Sequence, residues 1–395
     1  MDQKKLGFGM MRLPITDKND KGSIDIERTA GMVDQFMAAG FNYFDSAYMY
    51  HEFQSEPVTG KTVVARYPRD SFTVATKMPM GMFNTKEEQE RIFHEQLKKC
   101  GVDYFDFYLI HNLNSSCIDT ARELDTVGFL QKMKEEGKIR KLGYSCHDTG
   151  DFVDRTFTEF PQLEFVQLQI NYLDWENEGI QSRKCYEAAV KHGKPVIVME
   201  PVKGGTLANI PADAEAVLRE VHPDWSPASW AIRFAAGLPG VYMILSGMST
   251  EEQLADNIRT MQDFKPLNTE ELAVLDKVRN IINGSIAIPC TGCRYCVEAD
   301  RCPMNLNIPS YFALYNQEKL DTNPSWSSEK EMYANLLAEG YGKMEDCLHC
   351  GNCESYCPQH LPIRELLEKA SDFFDADGAG RTYTGEKITK SGRPF

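Results

Sequence analysis

Eight short apolar runs, separated by longer amphipathic stretches, limit the fold of this chain more than any other property of its sequence. They are rich in Val, Ile, Phe and Tyr, as β-strands are, and occupy residues 6–11, 41–45, 72–77, 105–111, 139–146, 165–171, 195–201 and 241–247. The stretches between them have helical spacing, as residues 26–39 illustrate with Met32, Val33 and Phe36. Eight strand and helix units favour a closed (β/α)8 TIM barrel over an open doubly wound sheet. No Gly-x-Gly-x-x-Gly fingerprint follows any of the runs, so a Rossmann domain has no direct support.

Eight of the twelve cysteines lie close together after residue 289. They form two C-x2-C-x2-C runs, each completed by a fourth cysteine before a proline: Cys290, Cys293, Cys296 and Cys302, then Cys347, Cys350, Cys353 and Cys357. In a reducing compartment, clustered thiols indicate metal ligands or redox centres before disulfides. An iron–sulfur cluster takes three thiolates from such a run and the fourth from a distant cysteine. Two structural four-cysteine zinc sites are the alternative, although zinc ribbons need neither a third cysteine at the same interval nor the proline.

This cysteine pattern resembles that of bacterial-type 2[4Fe-4S] ferredoxins, and the long insertion 303–346 makes it more similar to an α-helical ferredoxin. The crossed ligand pattern of those proteins implies one cluster held by Cys290, Cys293, Cys296 and Cys357. It implies a second cluster held by Cys347, Cys350, Cys353 and Cys302. Five residues separate Cys296 from Cys302 where three are usual, so we expect an altered loop around the clusters.

Composition and charge restrict the function classes. The 395 residues are 42% hydrophobic and 26% charged, which is typical of a soluble globular protein with a sizeable core. A formal charge of −15 repels phosphate backbones and anionic lipid, so we expect neither nucleic acid nor membrane as a partner. The first residues lack a signal-peptide apolar region, and no apolar stretch is long enough to span a bilayer. We therefore predict a cytoplasmic protein with a barrel over 1–285, a small, mainly helical ferredoxin-like domain over 286–370 and a C-terminal tail over 371–395.

Four polar residues lie at or just after the ends of predicted strands, where TIM barrels carry their chemistry. Asp45, Lys77 and His111 end three of the apolar runs, and Tyr50 lies on the loop after Asp45. Their order and settings resemble the Asp, Tyr, Lys and His tetrad of the aldo-keto reductases over about two thirds of the chain. The resemblance implies that Tyr50 protonates a carbonyl oxygen, that Lys77 lowers the pKa of Tyr50, that Asp45 orients Lys77 and that His111 orients the substrate.

The cofactor side departs from that family. The resemblance implies nicotinamide contacts at Ser145 and Gln167, whereas Cys146 replaces the usual Asn and Met199 the usual stacking aromatic residue. The two cations that hold the 2′-phosphate of NADPH align with Gly247 and Gln253, so we expect no strong preference for NADPH. Residues 246–250 can still contact a phosphate of NADH or FMN at a helix start. The candidate contacts in this segment are Ser246, Gly247 and Asn257.

These features predict an oxidoreductase of aldo-keto reductase type that acts on a small carbonyl or alcohol substrate. A nicotinamide moves a hydride, whereas a [4Fe-4S] cluster passes single electrons, so a flavin would solve the mismatch between them. Our hypothesis is that the two clusters relay electrons between an external redox partner and a cofactor in the barrel, either NAD(P)H or FMN. One alternative is an NAD(P)H carbonyl reductase with structural or sensing clusters, and another is a non-catalytic electron-transfer protein.

Overall fold

The structure is a computed structural model that describes residues 4–17, 20–177, 180–262, 264–298, 301–320 and 328–374. The chain divides into two compact units, Met1–Arg279 and Asn280–Phe395, and the division falls within one helix, Thr269–Ser285. In the described residues, no helix is both long and apolar enough to cross a bilayer. The boundary that we predicted at residue 285 stays a prediction.

The first unit is a closed barrel of eight parallel strands in the described part of the chain. Each strand neighbours the next in sequence, and the last pairs with the first, so the sheet has no free edge. This confirms the predicted (β/α)8 fold. The barrel strands are β1 (Leu6–Gly9), β4 (Tyr43–Asp45), β5 (Thr73–Pro79), β6 (Phe105–His111), β7 (Ile139–Cys146), β8 (Phe165–Gln169), β9 (Val196–Met199) and β10 (Val241–Gly247).

A short antiparallel hairpin, β2 (Ile15–Asp17) and β3 (Asp20–Ile24), lies between β1 and the first helix. The apolar pattern did not indicate it, because all three residues of β2 are exposed and the strands bury almost nothing. A hairpin of this kind is invisible to a search for buried strands.

Helices connect the strands and cover the outside of the barrel. Asp25 caps the first helix by accepting a hydrogen bond from the Arg28 amide (3.0 Å), and Gly40 follows that helix with φ of 81°. The helices of this unit are α1 (Ile26–Ala38), α2 (Tyr50–Phe53), α3 (Ser55–Thr59), α4 (Lys86–Cys100), α5 (Ile118–Glu123), α6 (Thr126–Glu135), α7 (Gly150–Glu159), α8 (Ser182–Lys191), α9 (Ala212–Val221), α10 (Pro227–Gly237) and α11 (Glu251–Gln262). The next helix, α12 (Thr269–Ser285), contains the division between the units.

The barrel has an inner core and an outer core. The outer one lies between strands and helices, and Phe8, Phe36 and Phe44 illustrate it with ring centroids 5.4 to 6.1 Å apart. The inner one fills the barrel with one side chain or more from most strands: Tyr43, Ala75, Leu109, Phe165, Ile197, Met243 and Leu245. Because strand side chains alternate, the residue two positions after an inner-core residue also faces the barrel interior.

The second unit is mainly helical and has its own small core, which includes Ile288, Leu306, Tyr311 and Tyr333. Its helices are α13 (Ile308–Leu320), α14 (Ser328–Ala338), α15 (Asn352–Ser355) and α16 (Ile363–Phe374). The first four residues of the predicted tail, 371–374, are therefore helical, because Phe374 is buried against this core. The rest of the predicted tail lies outside the described residues.

Candidate active site and cysteine-lined cavities

The period of two along the strands explains how three polar side chains reach one place. Asp45, Lys77 and His111 each follow an inner-core residue by two positions, so all three face the interior at the carboxyl end of the barrel. Strand β5 runs to Pro79, two residues beyond the end that we predicted at Lys77.

A buried ion pair occupies the floor of this site. Lys77 Nζ lies 2.5 Å from Asp45 Oδ1 and donates a second hydrogen bond to the Ser46 carbonyl at 2.7 Å. The Lys77 side chain is 0% exposed and that of Asp45 4%. Burial lowers the pKa of Lys77 and raises the pKa of Asp45, while the attraction between the two opposes both shifts. The second carboxylate oxygen of Asp45 is buried without a hydrogen-bond partner.

Tyr50 and His111 lie directly beside this pair. Lys77 Nζ is 5.1 Å from the centroid of the Tyr50 ring, and the His111 ring meets that ring edge-on with centroids 5.9 Å apart. Tyr50 begins α2, in which His51, Glu52 and Phe53 have a left-handed backbone, so this segment is an irregular turn on the connection after β4. The Tyr50 amide donates a hydrogen bond to the Ala47 carbonyl at 3.2 Å. Burial, with a smaller effect from the Lys77 charge, holds the pKa of His111 well below its ordinary value, so this imidazole is neutral at neutral pH.

The candidate nicotinamide contacts lie on adjacent strands. Ser145 and Gln167 are direct neighbours across β7 and β8, and Gln169 is paired in the same way with Met199 on β9. Gln167 Nε2 lies 3.5 Å from the Met199 sulfur, and Gln167 Oε1 is buried without a hydrogen-bond partner. Ser145 Oγ accepts a hydrogen bond from the Asn112 amide at 2.8 Å. A buried acceptor without a partner, beside an apolar thioether, fits the carboxamide and the ring of a nicotinamide.

The candidate phosphate segment joins β10 to α11. Asn257 Nδ2 donates to Ser246 Oγ at 2.7 Å, so these two candidate residues bind each other, and Gly247 is exposed. The Ser249 amide donates to Gln253 Oε1 at 2.7 Å, which removes one of the amides that we expected to face a phosphate. The segment therefore supplies fewer free donors than its sequence indicated.

A second buried ion pair, which the sequence analysis missed, lies on the loops after β8 and β9. Lys203 Nζ donates to Asp174 Oδ1 at 2.6 Å, and both side chains are at most 3% exposed. Asp174 Oδ2 accepts from Gln169 and Asn171, each at 2.8 Å. Asp174 and Lys203 are far apart in sequence and in no apolar pattern, so only their strand-end positions could have indicated the pair.

In the second unit, the two cysteine runs fold in the same way. The backbone is left-handed on each side of the middle cysteine, at Gly292 and Arg294 in the first run and at His349 and Gly351 in the second. Such turns bring successive thiols to one side of a loop. Residues Asn305 and His360, each three positions after the fourth cysteine, are left-handed as well. The local duplication in the sequence therefore corresponds to a duplicated backbone.

Each run lines a cavity together with the fourth cysteine of the other run. One cavity is lined by Cys302, Cys347, Cys350 and Cys353. The other is lined by Cys290, Cys293, Cys296 and Cys357. No three His, Cys, Asp or Glu side chains in the described ranges stand close enough to hold a single metal ion. The grouping around the cavities is the crossed one, and the donor set fits an iron–sulfur cluster.

Comparison with known protein families assigns the barrel to one of them. Residues 5–280 match the aldo/keto reductase family. The chain belongs to that family. Residues 289–361, which contain all eight clustered cysteines, match a 4Fe-4S dicluster domain and thus support iron–sulfur clusters. The predicted family and the predicted dicluster domain are both confirmed.

This chain is similar to known proteins over 61 to 70% of its length. An uncharacterized oxidoreductase, YqkF of Bacillus subtilis, is 24% identical over 305 residues, which are 70% of this chain and 92% of its own length. The NADH-specific methylglyoxal reductase of Escherichia coli is 24% identical and covers 61% of this chain and 84% of itself. The holo form of aldo-keto reductase AKR11C1 from Bacillus halodurans has a TM-score of 0.57 at 23% identity, covering 69% of this chain and 91% of itself.

A further solved structure, an aldo/keto reductase from Klebsiella pneumoniae in complex with NADP and acetate, has a TM-score of 0.56 at 19% identity. It covers 70% of this chain and 95% of its own. At these identities the two structures establish the fold of the barrel. The chain is therefore an aldo/keto reductase barrel joined to a 4Fe-4S dicluster domain.

Proposed function

We propose that this protein interconverts a small carbonyl compound and its alcohol at the mouth of the barrel, with Tyr50 as the proton donor and acceptor. The buried Lys77–Asp45 pair beneath the Tyr50 ring carries the proposal. Replacing a buried ion pair by hydrophobic residues of similar volume often leaves a protein equally stable or more stable. A fully buried lysine paired with an aspartate therefore indicates a role other than stability. A lysine ammonium beside a phenol favours the phenolate, which is the form that Tyr50 reaches after it has given up its proton.

The roles of the four residues follow from their contacts. Tyr50 gives its hydroxyl proton to the substrate oxygen during reduction and takes it back during oxidation. Lys77 stabilises the resulting phenolate, and Asp45 keeps Lys77 in place and opposes the loss of its charge on burial. His111, held neutral, donates a hydrogen bond that orients the substrate oxygen toward Tyr50. A bound nicotinamide or flavin supplies the hydride.

The cofactor contacts are proposed from the geometry of β7, β8 and β9. Gln167 and Ser145 would hold a nicotinamide carboxamide, and Met199 would cover the ring. The same surface can hold the ring of FMN, because none of these three side chains makes a contact that only a pyridine ring could satisfy. The relative named as NADH-specific supports a site that does not depend on a 2′-phosphate. We keep both cofactors open and expect no strong preference for NADPH.

The eight clustered cysteines are proposed to hold two [4Fe-4S] clusters in the crossed arrangement around the two cavities. When bound, such clusters supply one-electron transfer. Two of them can store the two electrons that a hydride carries, so we propose that they connect the barrel with an external redox partner. The acidic surface of the chain favours a basic partner.

The cofactor itself tests this proposal. Because a flavin can exchange both a hydride and single electrons, the relay predicts that protein assembled without oxygen and then denatured releases a flavin, which chromatography with a fluorescence detector identifies. Release of no flavin, together with ordinary NADH-driven aldehyde reduction, would contradict the relay and favour the carbonyl reductase with structural or sensing clusters. The control is the same extraction after the clusters have been bleached, which should release the same amount of flavin.

A further inference from the structure

The two cysteine runs have the same backbone but carry different side chains between their cysteines. The residue after the first cysteine is Thr291 in the first run and Leu348 in the second. The residue after the middle cysteine is Arg294 in the first run and Gly351 in the second. Thr291 is 6% exposed, whereas Leu348 is 62% exposed. The two cavities therefore have different surroundings, although the loops around them are duplicated.

Thr291 and Arg294 both line the cavity of the first run, and each has a buried donor atom there. Thr291 Oγ1 and Arg294 Nε have no hydrogen-bond partner among the described residues. The guanidinium is held at its other end, where Nη1 donates to Asn307 Oδ1 at 3.3 Å. A buried hydroxyl group without an acceptor destabilises a protein, and a valine would fill nearly the same space without that cost. The two donors therefore indicate an acceptor inside the cavity.

The rest of this cavity is mostly apolar. Apart from the cysteines and these two residues, it is lined by Gln359 and by Ile308, Pro309, Phe312, Leu361 and Ile363. The thiolate and sulfide sulfur atoms of an iron–sulfur cluster accept hydrogen bonds, and such bonds are stronger in an apolar environment than in water. The sulfur atoms of a cluster are therefore suitable acceptors for both donors.

The cavity of the second run offers no donor of this kind. Two arginines line it, but Arg364 Nη2 is paired with Glu354 Oε2 at 2.8 Å, and Arg301 Nη1 donates to the Tyr295 carbonyl at 2.6 Å. Leu348 has an aliphatic side chain. In the described part of the chain, this cavity is lined by no buried side-chain donor that lacks a partner.

We propose that Thr291 Oγ1 and Arg294 Nε donate hydrogen bonds to sulfur atoms of the cluster that the first run holds together with Cys357, and that they thereby raise its reduction potential. This rests on the proposed function for the presence of the clusters, but not for the chemistry of the barrel. Reduction adds one electron, and so one negative charge, to the cluster. Hydrogen bonds to sulfur stabilise the more negative state more strongly, so a cluster with both donors is reduced more easily than the same cluster without them.

Redox potentiometry of the whole protein tests this, with dithionite as the electron donor and electron paramagnetic resonance to follow each cluster. At a fixed potential, we expect Thr291→Val to reduce the ratio of reduced to oxidised first-run cluster about tenfold, a downward shift of about 59 mV for a one-electron couple. The other cluster should keep its potential. Thr291→Ser retains the hydroxyl group and should retain the wild-type potential. Arg294→Gln should shift the first-run cluster in the same direction as Thr291→Val, because it removes the Nε donor and a positive charge.

Leu348→Thr is the matched control, because it places the same side chain at the equivalent position of the second run. That position is 62% exposed, so the new hydroxyl group binds water, and the second cluster should keep its potential. If a cluster is lost from Thr291→Val or from Arg294→Gln, the potential of the other variant decides. Wild-type potentials in these two variants, or an equal shift in Thr291→Val and Thr291→Ser, would contradict the inference and leave the clusters in place. A wild-type protein that binds neither iron nor labile sulfide would overturn the proposed clusters as well.

Discussion

Replacing Tyr50 by Phe should lower kcat/KM for carbonyl reduction by about a hundredfold to ten-thousandfold, which is the usual contribution of a positioned acid. The substitution removes one oxygen and keeps the ring, so the contacts with Lys77 and His111 remain. Nucleotide affinity should stay within about twofold, because the cofactor contacts lie on other strands. Steady-state kinetics with a panel of small aldehydes and a binding titration measure the two quantities.

Tyr48→Phe is the matched control for this prediction. Tyr48 lies two residues earlier and is equally buried, and its hydroxyl lies 3.2 Å from the Glu95 carboxylate, away from the proposed site. We expect this variant to keep the wild-type rate. A Tyr50→Phe variant that reduces carbonyls as fast as Tyr48→Phe would show that the barrel does not use the proposed acid.

Replacing Cys357 by Ala should remove one cluster and about half of the iron and labile sulfide. In the crossed arrangement, Cys357 lines the cavity of Cys290, Cys293 and Cys296, although it lies next to the other run in sequence. The cluster that survives should therefore be the same one that survives Cys290→Ala. Iron analysis and electron paramagnetic resonance of the reduced protein measure the amount and the identity of that cluster.

Two further variants make this result decisive. Cys302→Ala should leave the opposite cluster, because Cys302 lines the cavity of the second run. Cys117→Ser, at a barrel cysteine outside both cavities, should keep all of the iron. If Cys302→Ala, rather than Cys357→Ala, leaves the same spectrum as Cys290→Ala, each run completes its own cluster and the crossed assignment is wrong.

The strands were predictable because the buried part of a barrel has a strong apolar signal. All eight strands lie near their predicted positions. Three of them, β6, β7 and β10, begin and end at the predicted residues. The ends of the predicted strands then indicated the site, since Asp45 and His111 are the last residues of their strands. The cysteine spacing was equally informative, because cluster ligands must lie at short fixed intervals.

Contacts between distant loops were not predictable in this way. The Asp174–Lys203 pair joins two loops whose residues have no periodic pattern, and Arg12 reaches Gly247 across the whole length of the barrel sequence. The sequence indicated that cations were missing at Gly247 and Gln253, but it could not indicate which side chain lies against Gly247. That information lies in the closure of the barrel, which places β1 beside β10.

The visible spectrum of the clusters measures the proposed transfer of electrons between the barrel and the clusters most directly. The protein is kept free of oxygen, and spectra are recorded before and after NADH is added and again after an aldehyde substrate. We predict that NADH bleaches the cluster absorbance and that the aldehyde restores it. Clusters whose absorbance stays constant while NADH-driven aldehyde reduction proceeds would contradict the relay and leave a carbonyl reductase whose clusters take no part in the reaction.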